Sequence, residues 1–186
     1  MKFTSGRMLA ALLGVTLGAA AVAAPLKTDP AKSRVSVVFK QMNVPVEAPF
    51  KKFTASIDYD AGKPDLAKAS VEIDTASVDV GEAEMNKEAA KKDWFNSAQY
   101  PKATFVSSAI KPAGAGKLTV SGKLSIKGKS TDVSFPLTVK TEAGKQVFEG
   151  ALPIRRLSYN IGEGDWKDTS ILADEVVIKF RVTAGQ

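Results

Sequence analysis

The stretch Leu118–Val139, LTVSGKLSIKGKSTDVSFPLTV, carries the pattern that decides the fold. In its first half Leu118, Val120, Leu124 and Ile126 fall on even positions with Gly122 among them, while Thr119, Ser121, Lys123, Ser125 and Lys127 take the odd ones. A period of two marks a strand with one wet face. Beyond Gly128 the alternation resumes on odd positions, with Val133, Phe135, Leu137 and Val139 apolar. Residues that face each other in an antiparallel pair have a constant index sum, and an even apolar row meets an odd one only if that sum is odd. A two-residue Gly128-Lys129 loop or a four-residue loop is therefore predicted. The two-residue loop sets Leu124 opposite Val133, Val120 opposite Leu137 and Gly122 opposite Phe135, where glycine leaves room for the ring. Pro136 has no N–H to give a ladder, which predicts a bulge or an unpaired position there.

Outward from this hairpin the same alternation recurs. Asp29 to Met42 turns at Asp29-Pro30 and then alternates Val35, Val37 and Phe39 against Arg34, Ser36 and Lys40. The Asn43-Val44-Pro45 and Ala48-Pro49 segments break the pattern, and Phe53, Ala55, Ile57 and Tyr59 restart it until the Asp60-Ala61-Gly62 turn. Val71 and Ile73 open a third strand that continues past Thr75 towards Val78 and Val80. Gly81 to Lys92, GEAEMNKEAAKK, has helix-forming composition, with Asn86 as a cap for a short surface helix. The adjacent Trp94 and Phe95 read as a plug or a lid over one end of the sheet. Thr104–Ile110, Val147–Ile154 and Val176–Val182 complete about eight strands, and the pattern around Phe105 does not fix which face points inward. One antiparallel sheet with one dry face follows, as a sandwich or as a closed barrel.

The first 23 residues read as a secretory signal peptide, with Lys2 and Arg7 as the positive region, an apolar run from Met8 to Val22, and an Ala21-Val22-Ala23 cleavage site. Residues 24–186 then form a single exported domain. The chain has neither Cys nor His. Disulfides, thiol chemistry, the common zinc sites and histidine-based nucleophile systems are thus excluded. The net charge of +6 falls to +4 without Lys2 and Arg7, and the lysines alternate with apolar residues as on a wet sheet face. No clustered basic patch suggests nucleic acid, whereas transient contact with an anionic membrane surface is compatible with this charge.

Asp93–Ser108, DWFNSAQYPKATFVSS, resembles the YceI family of periplasmic polyisoprenoid-binding proteins in its acidic residue, paired aromatics, Tyr-Pro and Phe-x-Ser strand. Leu118–Gly128, Arg156–Gly162 (RLSYNIG) and Asp174–Ile178 resemble further segments of that family in the same order. Lys32-Ser33, Gln41 and Asn86-Lys87-Glu88 depart from it, standing where members commonly carry His-Ser, a second His and an Arg-Asp pair. The resemblance implies an all-β, lipocalin-like antiparallel barrel around an elongated apolar tunnel. Its ligand would be a polyisoprenoid, an isoprenoid quinone or a fatty amphiphile, held without a covalent cofactor, a metal or catalytic residues, and a homodimer is compatible with such a barrel.

Phe39, Phe53, Trp94, Phe95, Phe105, Ile126, Phe135 and Phe180 are the expected wall or lid residues, with plain core packing as the alternative for each. Burying a methylene contributes about 0.8 kcal/mol, so three isoprene units give roughly 12 kcal/mol gross, against association costs on the order of 4–15 kcal/mol. A longer tail could be held with no ionic group at all. Two other classes compete. A solid barrel could act as an interaction module for a membrane or respiratory partner, with Tyr159, Asp165 and Trp166 as its exposed contacts. An enzyme would draw on Asp93, Glu163 or Asp165.

Overall fold

The computed structural model describes residues 25–185; the signal-peptide reading of residues 1–23 lies outside them. Ten strands are present among the described residues: β1 (Lys27–Thr28), β2 (Arg34–Gln41), β3 (Val44–Pro49), β4 (Phe53–Asp58), β5 (Lys68–Asp74), β6 (Lys102–Pro112), β7 (Lys117–Ile126), β8 (Lys129–Glu142), β9 (Lys145–Arg155) and β10 (Glu175–Gly185). All pairings are antiparallel, in the order β3-β2-β10-β9-β8-β7-β6-β5-β4, with β1 on β10. The sheet curls into a lipocalin-like half-barrel. Its N-terminal stretch ties the two flanks together: β1 pairs with Ala184 and Gly185, while the Leu26 N–H donates to the Ile57 carbonyl of β4 at 2.8 Å. Phe50 and Val78 form a second bridge between the flanks.

Two strands exceed the expected eight. One is the short β1. The other is β3, whose Pro45 and Pro49 signal a break in the sequence; β3 lies at the end of the sheet path and ladders only to β2, so a residue without an N–H is tolerated there. The third predicted strand also ends early. Asp74 accepts from the Ala76 N–H and starts a 3-10 turn over Thr75–Ser77, so β5 stops and does not run on to Val80.

The central hairpin keeps the expected parity with a shifted register. Ile126 pairs with Lys129 across a two-residue Lys127-Gly128 turn with φ of 46° and 72°, a primed hairpin turn that matches the twist of the strands. Gly122 therefore faces Val133 rather than Phe135, and Val120 faces Phe135 rather than Leu137. The pairing continues through Pro136 without a shift, since Pro136 precedes the first β8–β9 partner pair, Leu137 with Gly150. The sheet's irregularity lies in β6 instead, between Ser107 and Ala109. That bulge moves the inward row from odd positions, Ala103 and Phe105, to the even Ile110, which is why no single alternation could assign this strand's face.

The inner face packs as a diagonal across five adjacent strands. Phe105 (β6), Phe135 (β8) and Phe180 (β10) lie ring to ring, with centroids 5.5 Å apart in both pairs. Glycines on the intervening strands admit them. A Cβ on Gly122 (β7) would stand 2.6 Å from Phe105 Cζ, and one on Gly150 (β9) 2.3 Å from Phe180 Cζ. The buried hydrophobic cluster extends from this row through Leu118, Leu124, Leu137 and Leu152.

Candidate functional site

The concave side of the sheet encloses a cavity of about 550 Å3. This lies within the range of small-molecule pockets. Its walls are aliphatic and aromatic, from Val35, Val37 and Phe39 of β2 to Ile178, Phe180 and Val182 of β10, and its few polar wall residues are Gln41, Glu82, Glu88, Thr104 and Arg156. Three segments cover it: the helix α1 (Ala83–Ala89), the turn carrying Trp94 and Phe95, and the connection from β9 to β10.

The first cover is tied down by a carboxylate. Asn86 sits inside α1 rather than at its start, and its side chain reaches back, accepting from the Val80 N–H at 2.8 Å and donating to Asp79 Oδ1 at 3.0 Å. Asp79 also pairs with Lys51 Nζ at 2.7 Å and accepts from the Gly81 N–H. Hydrogen bonds from Lys51, Asn86 and the Gly81 backbone hold its pKa down to about 2, so it remains charged well below the usual carboxylate range. No residue of α1 is buried, as expected for a surface helix, yet Met85 and Ala89 also face the cavity.

The second cover is a tight turn. Trp94 and Phe95 donate to the Lys91 and Ala89 carbonyls, and Asn96 takes a positive φ of 49°. The buried Thr75 hydroxyl lies 2.9 Å from both the Tyr100 carbonyl, to which it donates, and the Ser97 hydroxyl, from which it can accept, fixing the far end of the turn. Phe95 meets the buried Phe50 edge to face at 5.9 Å, and Trp94 lies against Trp166 of the third cover at 5.2 Å.

The third cover is organised by one side chain. Arg156 is 2% exposed, and its five N–H groups donate to the carbonyls of Ala173, Ile161, Gly162, Trp166 and Leu172 at 2.7–3.1 Å. Burial lowers its pKa, and the charge of Asp174 offsets only part of that. The Asp93 carbonyl accepts from the Gly162 and Glu163 N–H groups, which joins this connection to the tryptophan turn. Lys127, 8% exposed, pairs with Glu163 at 2.9 Å and donates to the Asn160 carbonyl, sealing the same end.

Of the eight residues singled out in the sequence, the structure brings Phe39, Trp94, Phe95, Phe105, Ile126, Phe135 and Phe180 to the cavity wall. Phe53 is the exception. It packs instead against the Phe50 and Val78 core cluster and borders a second groove with Pro49 and Lys51, while Phe50 reaches the cavity wall. Of the contacts expected of a solid interaction module, Tyr159 is only 2% exposed and Trp166 lines the cavity against Trp94, whereas Asp165 is exposed. Sequence reasoning missed Phe50, Met85 and the function of Arg156. Spacing along the helix, with Glu82, Met85 and Ala89 on one side, held the signal for Met85; Arg156, the second of the Arg155-Arg156 pair, held none for its five backbone acceptors.

A curled antiparallel sheet with a dry hollow under three covers defines a lipocalin-like binding fold. The model of the YceI-like domain matches residues 26–184, and the chain belongs to that family. Similar solved structures include Burkholderia cenocepacia BcnA, 53% identical with a TM-score of 0.83 over 85% of this chain and 99% of that one. A polyisoprenoid binding domain from Saccharophagus degradans implicated in plant cell wall breakdown shares the fold at 19% identity, with a TM-score of 0.68 over 87% of this chain and 97% of that one. Among curated proteins, a UPF0312 protein of Shewanella baltica is 34% identical over 74% of this chain and 72% of its own length.

Proposed function

We propose that the protein is a non-enzymatic binder of a long-chain isoprenoid or similar amphiphile, which it carries or sequesters in the periplasm after export on residues 1–23. The observation that carries this reading is the 550 Å3 hollow walled almost wholly by hydrocarbon side chains. Such a hollow excludes water from an alkyl tail, and each buried methylene contributes about 0.8 kcal/mol. The polyisoprenoid binding named for the Saccharophagus degradans domain supports the same ligand class. Exposed Met42, Val44 and Ile171 lie beside one another, since the Met42 N–H donates to the Ile171 carbonyl, an apolar patch suited to transient contact with a membrane surface.

Blocking the hollow tests the reading. Val71 lines the cavity from β5. Val71→Phe is expected to retain the far-UV circular dichroism and the thermal midpoint, because its ring enters space the wall already encloses. Uptake of a polyprenyl quinone, followed by tryptophan quenching, should weaken at least tenfold. Quinone uptake equal to that of the unmodified protein would sink the proposal that the ligand occupies this cavity.

A further inference from the structure

A methionine stands where a hairpin least favours one. β2 and β3 are joined by a two-residue turn, with Gln41 paired to Val44 and with Met42 and Asn43 at φ of 47° and 65°. Both angles lie in the left-handed region, which asparagine and glycine enter readily and a bulky side chain does not. Asn43 suits its place. Met42 does not, and at 68% exposed it gains no packing that would offset the strain. Val44 and Ile171 are exposed beside it, the two segments being held together by the Met42 N–H on the Ile171 carbonyl at 2.7 Å and by the bridge between Gln41 and Leu172. A quarter of the chain's residues are charged, yet none lies in residues 42–46 or 169–173.

This apolar tip adjoins the cavity. Gln41, Val46 and Leu172 line the wall, each one or two positions along the chain from Met42, Val44 or Ile171. Among the described residues, the wall members that are exposed are Glu82 and Met85, which marks an opening at the start of α1. The chain leading there runs antiparallel beside β3, from the Phe50–Val78 bridge and the Asp79 N–H on the Pro49 carbonyl towards Val46 and the tip. The size of the patch limits what can cover it. Three aliphatic side chains at about 100 Å2 each offer at most about 300 Å2, against the roughly 800 Å2 that each partner buries in a stable protein interface. A second copy or a folded partner gains too little from it. A bilayer needs no matching surface, because its headgroup boundary takes up apolar side chains wherever they project.

We propose that the Met42–Val44 hairpin tip, with Ile171 beside it, docks on a zwitterionic phospholipid bilayer, and that the ligand passes between bilayer and cavity in this docked state without crossing water. This rests on the carrier reading above and names the partner with which the carrier exchanges its cargo. The charges that flank the two segments along the chain are Lys40, Glu47, Asp168 and Asp174. They are mostly negative, so the tip suits a zwitterionic surface rather than the anionic one compatible with the net charge of the whole chain.

The test mixes protein loaded with a polyprenyl quinone with phosphatidylcholine vesicles. Release is followed by recovery of tryptophan emission, since both tryptophans of the chain, Trp94 and Trp166, line the cavity. Exchange in a docked state gives a release rate that climbs in proportion to vesicle concentration; passage through water gives one that does not. The expected result is the first, with no gain from added phosphatidylglycerol. Met42→Asn is expected to slow release about fivefold, and Met42→Asn/Val44→Thr/Ile171→Thr about 20-fold or more, with quinone affinity in the absence of vesicles unchanged. Asparagine is the better turn residue, so Met42→Asn should melt no earlier than the unmodified protein, which separates a lost dock from a lost fold. A release rate independent of vesicle concentration would overturn the proposal, as would a triple variant that releases at the unmodified rate, release that depends on phosphatidylglycerol, or an earlier melt for Met42→Asn. The carrier reading survives each of these, because the quinone was bound at the start. Unmodified protein that takes up no quinone would overturn both.

Discussion

Arg156→Ala is expected to lower the free energy of unfolding by about 3–5 kcal/mol, the largest loss of any single substitution in the cavity wall. The guanidinium satisfies five backbone carbonyls of the β9–β10 connection, and three of its five hydrogen bonds are fully buried. Removing it leaves those acceptors without donors in a place water does not reach, at a cost of about 1–3 kcal/mol for each one not rescued by relaxation. Arg156→Lys should recover only part of the loss, since an ammonium has three donors and no planar fork. Urea unfolding followed by circular dichroism measures this directly. A midpoint shift with an unchanged slope is expected, together with altered tryptophan emission as Trp166 moves off Trp94. A loss below about 1 kcal/mol for Arg156→Ala would show that the connection is held by its other contacts.

Gly122→Ala is expected to destabilise by about 1–3 kcal/mol, an unusual cost for adding one methyl group to a strand, where alanine is ordinarily the better residue. The new Cβ would lie 2.4 Å from the Val106 carbonyl oxygen as well as 2.6 Å from the Phe105 ring. A side chain can rotate away, but a paired backbone carbonyl cannot. Phe105 would be pushed along the diagonal towards Phe135, so the cavity should narrow too. Shortening the ring in Gly122→Ala/Phe105→Leu should restore only part of the stability, because the carbonyl clash persists. Thermal unfolding separates the outcomes, with about 2–4 °C expected for each kcal/mol in a chain of this size. A double variant as stable as the unmodified protein would place the whole conflict in the ring.

The aromatic diagonal shows what could and could not be read from sequence. Alternation placed Leu118, Val120, Leu124 and Ile126 on one dry face and Phe135 and Leu137 on its partner, because a side-chain period of two is a local property. It marked Gly122 as a gap for a ring and chose the wrong ring. The turn lies at Lys127-Gly128, one residue before the expected place, since Lys127 accepts a positive φ of 46° while its ammonium is held by Glu163. That one-residue difference sets Val120 rather than Gly122 opposite Phe135, while the β6–β7 register, with Phe105 opposite Leu124, brings the Phe105 ring over Gly122. β3 escaped detection because proline signals a break wherever it stands, and only the sheet order reveals an edge.

The site was legible to the extent that it is made of strands. Phe39, Ile126, Phe135 and Phe180 follow from periodicity once a sheet is assumed to curl. Phe53 fails because three residues, Phe50 to Lys52, separate β3 from β4, and the ring that turns inward is the one bridged to Val78. Arg156 could not be recognised as the organiser of a cover, because its five acceptors are backbone groups from Ile161 to Ala173 and carry no residue signature. The pairing of Trp94 with Trp166 spans 72 positions and is equally silent in the sequence.

Organic extraction of protein purified from its native compartment, followed by mass spectrometry against a calibrated standard, is the most direct measurement of a carrier's cargo. The expected result is close to one isoprenoid chain per polypeptide, lost in Val71→Phe. Protein that yields no apolar ligand and takes up no polyprenyl quinone when offered one would contradict a hollow built to shelter such a tail.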